Sequence, residues 1–176
     1  MKLQLLFITL LLGLCCSAQV HQRWPVKTLT DGFAPDTNAV KKVTVKQMHS
    51  KKRTKVKDTQ PRLKFEKQVV QITGTITRIV PETGADGDGD YHIEISDNSL
   101  GDSTFVCEAV DPENSITKKS PYLGNFIKVR SVVKDLKKGD SVTFTGIIFQ
   151  DKYHSPSPLR TRNFIEMHPI IKAIKN

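Results

Sequence analysis

The sequence predicts a mainly β fold: a small five-stranded barrel with one helix between its third and fourth strands, preceded by an extended basic arm. Three observations predict it. Two-residue alternation of apolar and polar side chains begins at Gln68 and returns in four later stretches. One short run of three- and four-residue spacing interrupts them. Before Lys67 the composition is different: residues 20–67 hold 13 Lys and Arg against 4 Asp and Glu, whereas residues 68–176 hold 13 against 14. The whole basic excess of the mature chain therefore lies ahead of the alternating part.

Taken in order, Met1 to Ala18 has Lys2, an apolar run from Leu3 to Leu14, and then Cys15, Cys16, Ser17 and Ala18. This is the layout of a secretory signal peptide cut after Ala18. The apolar run falls short of the ~20 residues a membrane-spanning helix needs. Neither Cys15 nor Cys16 follows the small residue a lipoprotein cleavage requires. The expectation is a soluble, monomeric chain, secreted or periplasmic. With Cys15 and Cys16 removed only Cys107 is left, so no internal disulfide can form and the core alone must hold the fold. Cys107 lies in strand-like Ser103 to Val110 and reads as a small buried hydrophobe rather than a nucleophile.

Residues 19–67 contain turn-rich Thr30 to Asn38, then Lys41 and Lys42, then Lys51, Lys52, Arg53, Lys55 and Lys57. Few large apolar residues accompany them, so the segment reads as an arm partly docked through Trp24 and Val26 rather than a second core. It is either a solvated basic linker or a grip for an anionic polymer, nucleic acid or polysaccharide, with Lys51, Lys52, Arg53, Lys55 and Lys57 making the contacts.

The domain 68–176 opens with a long strand through Val70, Ile72, Ile76 and Val80, with Gly74 marking a bulge or bend. Tyr91 to Ser96 and Ser103 to Val110 are the next strands, joined by a hairpin turn over Asp97 to Asp102. Val129, Val132, Val133 and Leu136 predict a short helix stopped at Gly139, with Lys137 and Lys138 at its C-terminal end. Asp140 to Gln150 and Asn163 to Ile174 are the last two strands, and Pro169 implies an edge or a bulge in the second. This order and size match the oligonucleotide/oligosaccharide-binding (OB) barrel. Another small β-barrel or an open α+β sheet has a similar order.

OB barrels bind ligands on the face of their second and third strands, between the loop joining the first two strands and the loop joining the last two. Here the first loop carries Asp86, Asp88 and Asp90, which does not suit a phosphate backbone unless a cation intervenes. The other, Asp151 to Arg162, is mixed and holds Tyr153, His154, Arg160 and Arg162. The acidic loop imitates the opening of a calcium loop, but Tyr91 stands where an EF-hand loop needs glycine, so a helix-loop-helix site is excluded. A looser calcium site, a solvated Gly/Asp turn and a histidine site remain. For the last, His92 and Glu94 share a strand face, and so do Glu166 and His168. If these faces are exposed and converge, His92, Glu108, His154 and His168 can bind a divalent ion such as zinc, with Glu108 or Glu166 as candidate general base of a metal-dependent hydrolase.

Arg23 to Asp31, Asp88-Gly-Asp-Tyr-His92, Phe105 to Val110, Gly146 to His154 and Ile165-Glu-Met-His-Pro-Ile170 resemble the motif series of an uncharacterised family of exported bacterial proteins. The resemblance covers most of the mature chain and implies that His92, Glu108, His154 and His168 belong together, but it brings no substrate. The chain departs from that pattern in its lysine-rich 41–57 and in the Glu108-Ala-Val end of its third strand. The resulting expectation is a binding module, with a basic arm for anionic polymers and an acidic, histidine-bearing pole for a cation (zinc or calcium) or a small polar ligand. The alternative is the hydrolase, of phosphodiesterase or nuclease type.

Overall fold

The computed structural model describes residues 23–83, 88–152 and 163–176. The predicted signal peptide, Asp86 and His154 lie outside the described residues. Five strands make the barrel: β2 (Val69–Pro81), β3 (Tyr91–Ser96), β5 (Phe105–Ala109), β6 (Ser141–Gln150) and β7 (Ile165–Lys175). Two shorter ones accompany them, β1 (Lys41–Lys42) and β4 (Ser99–Asp102), with helices α1 (Trp24–Lys27), α2 (Val45–His49) and α3 (Leu123–Val133). The barrel strands follow one another as β2, β3, β5, β7 and β6, and a β2–β6 pairing closes the ring. All barrel pairs are antiparallel except β5 with β7. With α3 between the third and fourth barrel strands, this is an OB-like barrel.

Closure depends on two glycines that let strands bend. The first half of β2 pairs with β6, from Val69↔Ile147 to Thr75↔Ser141, and the second half pairs with β3, ending at Pro81↔Tyr91. The handover falls at Thr75, next to Gly74, where a Cβ would lie 2.7 Å from the Ser96 carbonyl oxygen. No other residue fits there without moving backbone. On β7, two residues, His168 and Pro169, stand between the pairs Gly146↔Ile170 and Ile148↔Met167, against the single Ile147 of β6. The proline therefore marks a bulge in a strand paired on both sides. Opposite it, a Cβ on Gly146 would meet the Pro169 carbonyl oxygen at 2.5 Å. The bulge changes the strand's parity: Ile165 and Met167 face the core before it and Ile170 after it, leaving Glu166 and His168 on the other side.

The core holds Val70, Ile72, Ile76, Ile93, Ile95, Phe105, Cys107, Phe144, Ile148 and Met167, with Val129, Val133 and Leu136 from and beyond α3. The helix starts six residues earlier than the Val129 spacing suggests and ends before Leu136. Its first turn, Leu123-Gly124-Asn125, has no side-chain cap and two poor helix formers in Gly124 and Asn125, so the burial of Phe126, Val129 and Val133 holds it.

The segment ahead of the barrel builds no sheet of its own, yet it docks along far more of its length than Trp24 and Val26. Val43, Val45 and Met48 enter the barrel core, and Leu29 joins a second cluster with Val69, Val110, Phe126, Ile147 and Ile171. β1 pairs in parallel with Val70 and Gln71 of β2. Thr44 and Gln47 form a reciprocal capping box on α2, and the Asp97 carboxylate accepts the Val45 N–H at 2.9 Å. Arg23 donates to both oxygens of Glu66 at 2.7 and 2.6 Å in a fully buried fork. Glu66 also accepts the Gln150 N–H at 2.8 Å, while Arg23 donates to the Gln150 carbonyl at 2.9 Å, so the pair stitches the segment to the end of β6.

Candidate functional site

The register of three neighbouring strands assembles the polar pole. His92 of β3 stands opposite Glu108 of β5, and Cys107 of β5 stands opposite Met167 of β7, which sets Glu108 between two histidines. Glu108 Oε1 lies 3.1 Å from His92 Nδ1, and Glu108 Oε2 lies 2.6 Å from His168 Nδ1. His168 Nε2 is 3.2 Å from Asp90 Oδ2, and its Nδ1 is 3.4 Å from Glu166 Oε1. Glu82, at the exit of β2, comes within 3.5 Å of His92 Nδ1. The structure thus brings together His92, Glu108, Glu166 and His168.

These side chains were expected on an exposed face, and they are buried. His168 and Asp90 have no exposure, and His92, Glu108 and Glu166 have 4–7%. Alternation tells which residues share a face but not what covers it. Here the cover includes α1: the Lys27 side chain is 6% exposed, its Nζ 3.8 Å from Asp88 Oδ2 and 5.4 Å from the centre of the Phe149 ring. That ring in turn lies 5.6 Å from the His168 ring. Lys27, Glu82 and the inward role of Asp90 escaped the sequence reading. The one available signal for Lys27 was its place in Arg23-Trp-Pro-Val-Lys27, a lysine directly after buried residues.

Asp90 decides between the readings of the acidic loop. Its N–H donates to Asp88 Oδ1 at 3.1 Å, as in an Asx turn, and its own Oδ1 accepts the Asp111 N–H at 2.7 Å. Its other oxygen points at His168. Asp90 is therefore part of the histidine cluster and not of a solvated turn. Glu94 flanks the cluster, its Oε1 3.6 Å from His92 Nε2 and 3.2 Å from Arg78, while its other oxygen accepts from the Thr104 hydroxyl at 3.1 Å.

The electrostatics of the pole are those of crowded carboxylates out of water. Burial pushes the Glu166 carboxyl up to about 8, aided by Glu108 and Asp151, with His168 and Lys27 opposing. Burial likewise pushes Glu82 up to about 7, with Glu108 and Asp88 adding to it. Burial also raises Asp90 above the usual range, against the pull of His168. Glu108 goes the other way: burial alone would raise it, but His168, His92 and Lys27 hold it well below the usual carboxylate range. Burial and Lys27 work against the charged form of His168, yet Glu108 and Asp90 hold its imidazole well above the ordinary value. Burial would lower Lys27 as well, and Glu108, Glu166, Asp151 and Asp88 together raise it above its ordinary value. Burial, Glu166 and Glu108 push the Cys107 thiol well up, which keeps it a protonated core residue.

Despite these short approaches, Asp90 Oδ2, Glu166 Oε1 and both ring nitrogens of His168 are buried without a partner in hydrogen-bond geometry among the described residues. Two sets of ligand-type atoms lie within 4.8 Å of one another: Glu82, His92 and Glu108, and Asp90, Glu108 and His168. Chemically, nitrogen and carboxylate oxygen converging from rigid strands are a donor set for a divalent ion.

The basic run occupies a different setting. Lys52, Arg53, Lys55 and Lys57 are exposed, Lys51 is half-buried, and Val56 anchors the stretch. Gln150 Oε1 accepts the Thr54 N–H at 2.9 Å, and Asn163 donates to the carbonyls of Met48 and Lys51 at 2.8 Å each. The Arg53 guanidinium lies 5.1 Å over the Phe164 ring. Burial, and then Lys41, lowers the Lys51 ammonium below its ordinary value, as expected where like charges share a surface.

No protein-family model and no curated protein matches this chain. Solved structures do resemble it. An OBody bound to hen egg-white lysozyme is 13% identical with a TM-score of 0.43, covering 63% of this chain and 83% of its own. The S. pombe Stn1–Ten1 complex is 14% identical with a TM-score of 0.39, covering 61% of this chain and 57% of its own. Entamoeba histolytica asparaginyl-tRNA synthetase is 16% identical with a TM-score of 0.42, covering 70% of this chain and 23% of its own. This chain thus spans a little over half of the second and under a quarter of the third. The OB-like assignment rests on the strand order itself. Among the described residues no helix is long and apolar enough to cross a membrane.

Proposed function

We propose that this protein is an exported binding module whose buried pole takes a divalent metal ion through His92, Glu108 and His168, with Asp90, Glu82 and Glu166 beside them. The observation that carries this is His168: a fully buried imidazole pressed between Glu108 and Asp90, with neither nitrogen in hydrogen-bond geometry. Imidazole nitrogens favour zinc or another transition ion over calcium, whose sites are built of oxygen. The test is metal content by mass spectrometry of protein purified without chelator, beside a His92→Ala, His168→Ala double variant. Near-stoichiometric metal lost in the variant supports the reading. A folded, metal-free protein from metal-replete medium would refute it.

On the same reading the exposed Lys52, Arg53, Lys55 and Lys57, with Lys51, hold an anionic polymer such as nucleic acid or polysaccharide through salt-sensitive contacts. Deleting the whole segment is not a usable test, because Val45, Met48 and Leu29 belong to the cores. Substitution of the exposed lysines, read by heparin retention, is usable. Export is tested by sequencing the N-terminus of protein from the cell exterior, where a start at Gln19 is expected.

One observation favours a second reading, the metal-dependent hydrolase. Glu166 lies 3.4 Å from His168 with its carboxyl pushed up to about 8, so it can exchange a proton near neutral pH beside the metal ligands. Glu108, held well below the usual range between two histidines, suits a ligand better than a base. Metal-dependent turnover of a phosphodiester, abolished by Glu166→Gln with metal retained, decides for this reading.

A further inference from the structure

We propose that the pole is a two-cation centre in which Glu108 is the bridge, one ion held with His92 and Glu82 and the other at Nδ1 of His168, whose Nε2 faces Asp90 instead. This rests on the metal-binding reading above and goes beyond it in number and in the role of Glu108. Two geometric facts point to it. The two ligand sets share a single member, Glu108, and that member offers a different oxygen to each: Oε1 faces His92 at 3.1 Å and Oε2 faces His168 at 2.6 Å. A carboxylate presenting one oxygen to each of two histidine-bearing groups has the form that joins paired ions, which sit about 3.5–4 Å apart in two-metal sites.

The charge count points the same way. Among the described residues, Glu82, Asp88, Asp90, Glu108 and Glu166 line the pole, and Lys27 is the one ammonium beside them. Carboxylates outnumber the ammonium there, so cations entering the pole offset negative charge in a site largely out of water. The second set differs from the first in being fully covered, and it carries the buried His168 nitrogens and Asp90 oxygen that lack hydrogen-bond geometry. The first opens toward Glu82, whose side chain is 39% exposed, so the two positions differ in access to solvent.

The experiment uses full-length mature protein stripped with chelator and reloaded with Mn2+, read as ions per chain and by electron paramagnetic resonance. Two ions per chain with an exchange-broadened spectrum are expected. His92→Gln is expected to leave one ion per chain with the six-line spectrum of an isolated Mn2+, and so is His168→Gln. One ion per chain with a six-line spectrum in the unaltered protein overturns the two-cation centre and leaves the single-metal reading standing. Two ions that show no exchange overturn the bridge, and no bound ion overturns both readings. The unaltered protein decides these outcomes, so a variant that fails to fold does not remove the test.

Discussion

The pole and the basic run are both crowded with like charges, and they differ in burial and in what holds them. In the pole, Asp90, Glu108 and Glu166 are buried with two imidazoles, Glu82 and Asp88 stand at the rim, and protonation is displaced by burial. In the basic run most charged side chains reach into solvent, the backbone is fastened by Gln150 and Asn163, and repulsion is relieved by water and salt. The contrast teaches that charge density alone says little about function. A charge held in a dry, fixed geometry demands a specific counter-ion, whereas one on an exposed stretch attracts any polyanion, in proportion to how many counter-ions are released.

The sharpest way to break this contrast is to cut a buried charge that fastens the segment. Glu66→Ala leaves Arg23 buried with its fork unanswered, and about 3–5 kcal/mol of stability should be lost in urea unfolding. A loss under about 1 kcal/mol would mean that the segment docks without this pair. Next in size is the metal. At a hundredfold excess of zinc over its dissociation constant the protein should gain about 2.7 kcal/mol, reversed by chelator, with no such gain in the His92→Ala, His168→Ala variant. Thermal unfolding with and without zinc measures it.

A smaller effect comes from Asp97, at the joint between the segment and the barrel. Burial would raise its carboxyl, but hydrogen bonds from Ser99 and the Val45 N–H prevail and hold it below the ordinary range. A carboxyl lowered in the folded state contributes stability above its unfolded value, about 3.9, and loses it as pH falls through the folded one. Asp97→Asn should therefore cost about 1 kcal/mol at pH 7, the usual size of one lost hydrogen bond, and the difference should close below about pH 4. A gap unchanged across that range would assign the effect to shape rather than charge. Smallest in stability are Lys52→Gln, Arg53→Gln, Lys55→Gln and Lys57→Gln, each within about 0.5 kcal/mol. Together they should abolish retention on heparin at low salt. Retention that survives all four would move the polyanion surface elsewhere.

The barrel was readable because its strands alternate. Val70, Ile72 and Ile76 gave β2, the proline at 169 gave an edge or a bulge, of which the structure has the bulge, and each barrel strand began and ended within a few residues of its expected place. The face shared by His92 with Glu94 and by Glu166 with His168 was readable for the same reason. Its burial was not, because the cover is α1, four residues whose position depends on Arg23 finding Glu66 forty-three residues away. Short-range pattern carries no information about such a contact. The docking of Val43, Val45 and Met48 was hidden likewise, as three apolar residues dispersed among lysines look soluble until a groove is there to receive them. His154, named with the cluster from its motif, lies outside the described residues.

Lys27 has a further consequence when seen as a ligand rather than as a residue. Its ammonium is a resident cation on a tether, set among the same carboxylates that would accept an incoming ion. Two cations drawn to one anionic site compete, and linkage makes the competition mutual: whatever tightens α1 against the pole weakens ion uptake, and a bound ion loosens the hold of Lys27 by the same factor. On the proposed metal-binding reading, α1 would thereby be a lever on the affinity of the pole for its ion.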